Sequence, residues 1–305
     1  MEYPVRKFIC IVTMSIFLGA MPWASKAAIP TSFTHLYVFG DSYCDVGNDF
    51  IATGGAEPAA PYYAGRFSNG PIWVDHVAGF LGLGALKPSL AGGTDFAFGG
   101  AEVTSPVSTP FGTIPSVPQQ VALYLQSTGG KADPNALYII EGGGNDILNA
   151  VSTSPQQLGF QIALGISESE LGLRRAGARY FLIPNLFNVG LLPAAAGNAA
   201  FATAATNATN QSLISLLALE SLLQGIHIGR LDVFSLESAV VTDPTHFGFT
   251  NLTTPCTSLP SALNPTPSVC TDPDHTFFWD IEHPTEFGHA FFAAVVENTL
   301  AAGRW

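Results

Sequence analysis

The stretch HLYVFGDSYCDVGN, His35 to Asn48, decides how the chain is read. Its first half, Leu36-Tyr37-Val38-Phe39, is a short apolar run of β-prone residues closed by Gly40, the pattern of a buried strand. The strand predicted there delivers Ser42 at its carboxyl end. In open α/β sheets that end faces the crevice where ligands bind. Ser42 therefore stands where a nucleophile would be useful. Taken alone, a serine after a strand more often caps the next helix, so the reading depends on what accompanies it.

Similar runs recur at residues 137–140, 179–183 and 231–234, each followed by a polar or glycine-rich turn. Helical spacing is found over residues 117–126, 156–177 and roughly 205–223. A last helix is predicted from Pro284 to just before Gly303, with Phe287, Phe291 and Val295 as the face turned toward the sheet. This alternation predicts an α/β fold, a three-layer α/β/α sandwich with a central parallel sheet in a flavodoxin-like arrangement. Residues 104–118 hold four prolines and no period, and read as a long ordered loop near the site.

At 305 residues, with no composition break after residue 30, the expected division is a leader over 1–27 and one domain over 28–305. Arg6 and Lys7, the apolar stretch from Phe8 to Met21 and the small-residue site Ser25-Lys26-Ala27 read as a secretory signal peptide cleaved after Ala27. The stretch falls short of the ~20 residues that span a bilayer. A secreted or periplasmic product without an integral membrane span is expected. Only 11% of residues are charged and mean hydropathy is +0.30. A large core and an apolar pocket follow from such a composition. Without the leader, eight basic and 22 acidic residues remain, which argues against a nucleic-acid partner.

Cys10 leaves with the leader, so Cys44, Cys256 and Cys270 remain in an oxidising setting. Cys256 and Cys270 bracket a Pro-, Ser- and Thr-rich loop and are the expected disulfide. Cys44 reads as a packed, unpaired thiol. No CxxC or HExxH spacing points to a metal, and no cofactor is expected.

A serine hydroxyl becomes nucleophilic when a base takes its proton and a third group orients that base. Asp280-Ile281-Glu282-His283 offers both groups from one loop: His283 as base and Asp280 as its orienting acid. Acyl transfer also needs donors for the developing oxyanion. Candidates are the backbone N–H of Ser42, the N–H of Gly100 in DFAFGGAEV, and the side-chain amide of Asn145 in EGGGND. Asp41 and Asp45 read as braces of the serine turn and Asp146 as a brace of the Asn145 loop. His289 reads as a polar residue on the last helix, and Phe277-Phe278-Trp279 as core rather than acyl pocket.

These blocks, in this order from Phe39 to His289, resemble the GDSL family of serine esterases and lipases, also called SGNH hydrolases. The resemblance implies the SGNH fold, Ser42 as nucleophile and oxyanion donor, Gly100 and Asn145 as further donors, and the Asp280–His283 pair. With CTDPDHTFFWD ahead of the last block, it is similar to the bacterial secreted branch of phospholipases, lecithinases and haemolysins. Around Ser42 the sequence reads GDSYC, which lacks the second glycine of the α/β-hydrolase GxSxG turn. Tyr43-Cys44 departs from the hydrophobic or small residue and Ser or Thr common in the family. The implied activity is hydrolysis of carboxylic esters, of small molecules or lipids, through an acyl-enzyme on Ser42, with transient contact at a lipid interface. Phospholipase or lipid acyltransferase chemistry would use the same residues. A lipid- or carbohydrate-binding protein on a decayed scaffold is the remote alternative.

Overall fold

The computed structural model describes residues 32–220, 222–223, 225–258 and 267–303. The leader predicted over 1–27 lies outside the described residues. Four parallel strands form the sheet: β1 (Leu36–Phe39), β4 (Leu137–Ile140), β5 (Tyr180–Pro184) and β6 (His227–Leu231), in the order β1-β4-β5-β6. Leu36 pairs with Leu137, Leu137 with Tyr180, and Tyr180 with His227. On the outer side of β1, Val38 N–H donates to Thr94 O at 3.1 Å and Phe96 N–H to Val38 O at 2.8 Å. One bridge, Val38 to Asp95, thus stands where a second strand would be, and the order becomes the expected flavodoxin-like one.

Helices cover the sheet in two groups. α3 (Val117–Ser127), α5 (Pro155–Ala176) and α6 (Ala199–Glu220) pack side by side, while α2 (Trp73–Phe80) pairs with α8 (Glu286–Ala301). β4 and β5 are buried along their whole length. A strand covered on both faces can be apolar throughout, as LYII and YFLIP are. Each of its large aliphatic side chains contributes about 1.5–3 kcal/mol by leaving water. The remaining helices are short: α1 (Asn48–Ala52), α4 (Gly144–Leu148) and α7 (Val233–Thr242). Among the described residues no helix is long and apolar enough to cross a membrane.

Three expectations are corrected. The strand placed at 231–234 lies at His227–Leu231, because the Asp232 carboxylate accepts the Ser235 N–H at 3.1 Å and starts α7 there. The loop predicted over 104–118 contains a small antiparallel hairpin, β2 (Val107–Thr109) with β3 (Gly112–Ile114), and the start of α3. The last helix begins at Glu286, since the Thr285 hydroxyl caps it by accepting from Gly288 N–H. Its buried face is Gly288, His289, Phe292, Ala293 and Val296, and Phe287 is 37% exposed. Phe287 and Phe291 instead meet Phe249 and Phe247, with ring centres 5.1 and 5.3 Å apart. A lateral aromatic cluster, not the sheet, receives them.

Candidate active site

β1 ends at Phe39, and Gly40 is gripped by Gln120 of α3: the Gly40 N–H donates to Oε1 at 2.9 Å and Nε2 donates to Gly40 O at 2.8 Å. The chain then turns, with Cys44 and Asp45 N–H both donating to Asp41 O at 3.0 Å. Ser42 sits in that turn, 6% exposed. The Asp41 carboxylate accepts the Tyr43 N–H at 3.0 Å, and the Asp45 carboxylate accepts from Gly47, Asn48, Asp49 and Gly99 N–H. Asp45 therefore joins the serine turn to the glycine turn.

Gly100 has φ +71, a left-handed conformation that glycine adopts without strain. The glycine turn is further held by Asn48, whose amide donates to Asp95 O and Ala97 O at 2.9 and 2.8 Å. After β4, EGGGND passes through Gly143 (φ +116) into α4. Asn145 Nδ2 donates to Ala101 O at 3.1 Å, with Asp41 Oδ2 3.4 Å away. Asp146 reaches across to accept from Val103 N–H, Thr104 N–H and the Thr104 hydroxyl. Its brace thus ties α4 to the segment after the glycine turn.

Asp280 and His283, the candidate acid and base, arrive from the loop before α8. His283 Nε2 lies 2.8 Å from Ser42 Oγ, and its Nδ1 lies 2.7 and 2.9 Å from the two Asp280 oxygens. Asp280 Oδ1 also accepts the backbone N–H groups of Glu282 and His283 at 2.7 and 2.8 Å. Tyr43, stacked on Phe187 at 4.8 Å, donates its hydroxyl to Glu282 O at 2.6 Å. Tyr43 thus fastens the serine turn to the loop of residues 280–283. Phe67 lies against the His283 ring at 5.1 Å.

Behind the loop, Cys256 and Cys270 are joined in a disulfide. Cys256 and Thr257 N–H donate to Phe278 O and Trp279 O at 3.0 and 2.7 Å, so these two residues lie along the stretch leading to Asp280. Phe277, Phe278 and Trp279 are buried, as core. Cys44 is fully buried, and burial, followed by Glu141 and Asp41 nearby, raises its thiol pKa well above the usual value. It cannot supply a thiolate at neutral pH. His289 is buried too, facing the Tyr43 ring; burial first, then His283 and His76, push its pKa down to about 3. It is, as expected, a polar residue of α8, on that helix's buried face.

Burial of Asp280 disfavours its charge, yet His283 and the surrounding donors outweigh this and lower its pKa. Burial likewise opposes the imidazolium of His283, but Asp280, with Glu282 and Asp41 beyond, raises its pKa above the ordinary value. Only neutral His283 can take a proton from Ser42. The kcat/KM of ester cleavage is therefore expected to fall as pH drops through a midpoint above the free imidazole's ~6.5. A pH–rate profile with its midpoint below 6 would contradict the pairing.

Ser42, Gly100, Asn145 and His283 all line one cleft of about 360 Å³. Tyr62, Phe67 and Ile114 form apolar parts of its wall, and Asp49, Glu57 and Glu282 contribute carboxyl groups. Among the described residues no cluster of three or more His, Cys, Asp or Glu is arranged to hold a metal. Nothing in the sequence marks Gln120, Tyr62, Phe67 or the role of Tyr43. Their partners are distant in the chain, and none carries a local pattern.

A serine, a histidine and an aspartate in hydrogen-bonded line beside a glycine turn and an asparagine amide form the constellation that acyl-transfer chemistry requires. The family model for GDSL-like Lipase/Acylhydrolase matches residues 36–296, and the chain belongs to that family of carboxylic-ester hydrolases. It is 27% identical to a GDSL esterase/lipase of Arabidopsis thaliana, over 94% of this chain and 92% of that protein. It is 26% identical to a phosphatidylcholine-sterol acyltransferase of Aeromonas hydrophila, over 97% of this chain and 86% of that one. Among solved structures, a carbohydrate acetylesterase from Sinorhizobium meliloti overlaps with a TM-score of 0.40 at 13% identity, over 68% of this chain and 98% of the other. That overlap bears on neither substrate nor mechanism.

Proposed function

We propose that the protein is an exported hydrolase of acyl esters that works through an acyl-enzyme on Ser42. The observation that carries this reading is the unbroken line from Ser42 Oγ through His283 to Asp280, with gaps of 2.8 and 2.7 Å. His283 Nε2 takes the hydroxyl proton as Ser42 Oγ attacks the ester carbonyl. The N–H groups of Ser42 and Gly100 and the Asn145 amide stabilise the oxyanion. His283 then protonates the leaving alcohol, and water, activated by the same imidazole, releases the acid and restores Ser42. No metal or organic cofactor enters.

Export is supported by the sequence of residues 1–27 and by the Cys256–Cys270 cross-link, which suits an oxidising compartment. Lipid esters are supported by exposed apolar residues on the segments that line the cleft: Phe50, Ile51, Tyr63 and Phe111 are 39%, 44%, 47% and 51% exposed. Exposed apolar side chains so close in the chain to cleft-lining residues suit transient contact with a lipid surface. The secreted phospholipase-like branch fits the same features. Transfer to an alcohol is a second reading, favoured by the likeness to the Aeromonas hydrophila acyltransferase.

The test is turnover of p-nitrophenyl esters from C2 to C16 by residues 28–305, with and without an added alcohol. Expected is hydrolysis with an optimum at C6 or longer, and any alkyl ester product marks transfer. An optimum at C2 would remove the lipid assignment, and no turnover of any ester would remove the proposed function.

A further inference from the structure

Asp280 is held from two directions. The N–H groups of Glu282 and His283 belong to its own loop, so they fix the carboxylate only relative to that loop. The other hold comes from 218 positions away: the Tyr62 hydroxyl donates to Asp280 Oδ2 at 2.6 Å, on the same oxygen that His283 Nδ1 approaches at 2.7 Å. Among the described residues, Tyr62 is the one side chain from outside the 280–283 loop that donates to Asp280.

The Tyr62 ring is itself fixed. It meets Trp279 edge-on at 6.2 Å and Phe67 at 6.3 Å, and it is packed with Trp279 and the Cys256–Cys270 cross-link. The same chain segment clamps the acid–base loop further along, where Ser68 Oγ donates to Pro284 O at 2.9 Å and Asn69 Oδ1 accepts the Glu286 N–H at 2.7 Å. Tyr62 is 8% exposed, so its hydroxyl competes little with water for the carboxylate.

We infer that Tyr62 is a positioning residue: its hydroxyl holds the Asp280 carboxylate in line with His283 and sets how strongly that carboxylate supports the imidazolium. The assignment rests on the proposed roles of Ser42, Asp280 and His283. A hydrogen bond to the charged carboxylate lowers its basicity. Removing the donor has two consequences: the acid loses its tie to the cleft wall, and the less stabilised carboxylate pairs more strongly with protonated His283. The first lowers kcat, while the second raises the pH at which activity is lost.

The experiment compares Tyr62→Phe, which keeps the ring against Trp279, with Tyr62→3-fluorotyrosine, an isosteric and stronger donor. For Tyr62→Phe, kcat on p-nitrophenyl acetate should drop about tenfold while KM changes by less than about twofold. The acid limb of the rate profile should move up by roughly half a pH unit, and in the fluorotyrosine protein it should move down. The downfield proton resonance of His283 Nδ1 should shift in both variants, a readout that does not require turnover. The role is overturned by an unmoved limb and Nδ1 resonance, including the case where kcat falls only together with the melting temperature. Inactivity of the parent protein on every ester would instead remove the reading of the site.

Discussion

Ser42→Ala is expected to abolish ester cleavage, with kcat down by about 10⁴- to 10⁶-fold while KM and the melting temperature stay close to those of the parent. Among the described residues the hydroxyl makes one hydrogen bond, to His283 Nε2, so its loss removes the proposed attacking atom and little else. No neighbour can replace it. Cys44, two positions on, is buried with its thiol pKa pushed well up, and its sulfur faces Glu141 rather than the cleft. The proposed Gly100 and Asn145 donors remain, and any residual rate is assigned to them. Matched hydrolysis assays on purified parent and variant check this, and an Ser42→Ala rate within tenfold of the parent would exclude Ser42 as nucleophile.

Asp280→Asn is the second large effect, expected to lower kcat on the order of 10⁴-fold with the fold intact. The geometry gives the reason. The Oδ1 position is fixed as an acceptor by two backbone N–H groups, so the amide oxygen of an asparagine must occupy it. Its NH₂ then lies where Oδ2 was and donates to His283 Nδ1. That places the ring proton on Nε2, facing Ser42, and the imidazole can no longer accept the hydroxyl proton. Loss of the carboxylate also removes the chief support of the imidazolium, so whatever rate remains should persist to lower pH than in the parent. Comparison of pH–rate profiles checks both parts. A loss under tenfold, with an unmoved acid limb, would contradict the assigned role.

What could be read from the sequence divides along physical lines. β4 and β5 are covered on both faces, so each is a continuous apolar run whose position the sequence marks clearly. β6 lies at the end of the described sheet and includes His227, Gly229 and Arg230, a mixture without a strand period, while Val233 and Phe234 just beyond it look β-prone but belong to a capped helix. The phenylalanines of α8 have the right spacing but the wrong neighbour, because Phe247 and Phe249 present an aromatic surface beside the sheet that only the fold assembles.

The candidate site divides in the same way. Ser42, Gly100, Asn145, Asp280 and His283 each sit in a short block with its own chemical signature, and the structure brings all five to one region, with Ser42, Asp280 and His283 in hydrogen-bonded line. The residues that hold those blocks together are different. Gln120 bonds across 80 positions, Tyr62 across 218 and Tyr43 across 239, and nothing local marks an ordinary glutamine or tyrosine as the partner of a distant loop.

Ser42 Oγ is the atom proposed to become acylated, and active-site labelling tests that assignment. After incubation with an alkyl fluorophosphonate until activity is lost, intact-mass and peptide analysis should find one phosphonyl group per chain, on the peptide carrying Ser42, and none on the Ser42→Ala protein. Inactivation with the adduct on another residue, or equal labelling of the Ser42→Ala protein, would contradict it.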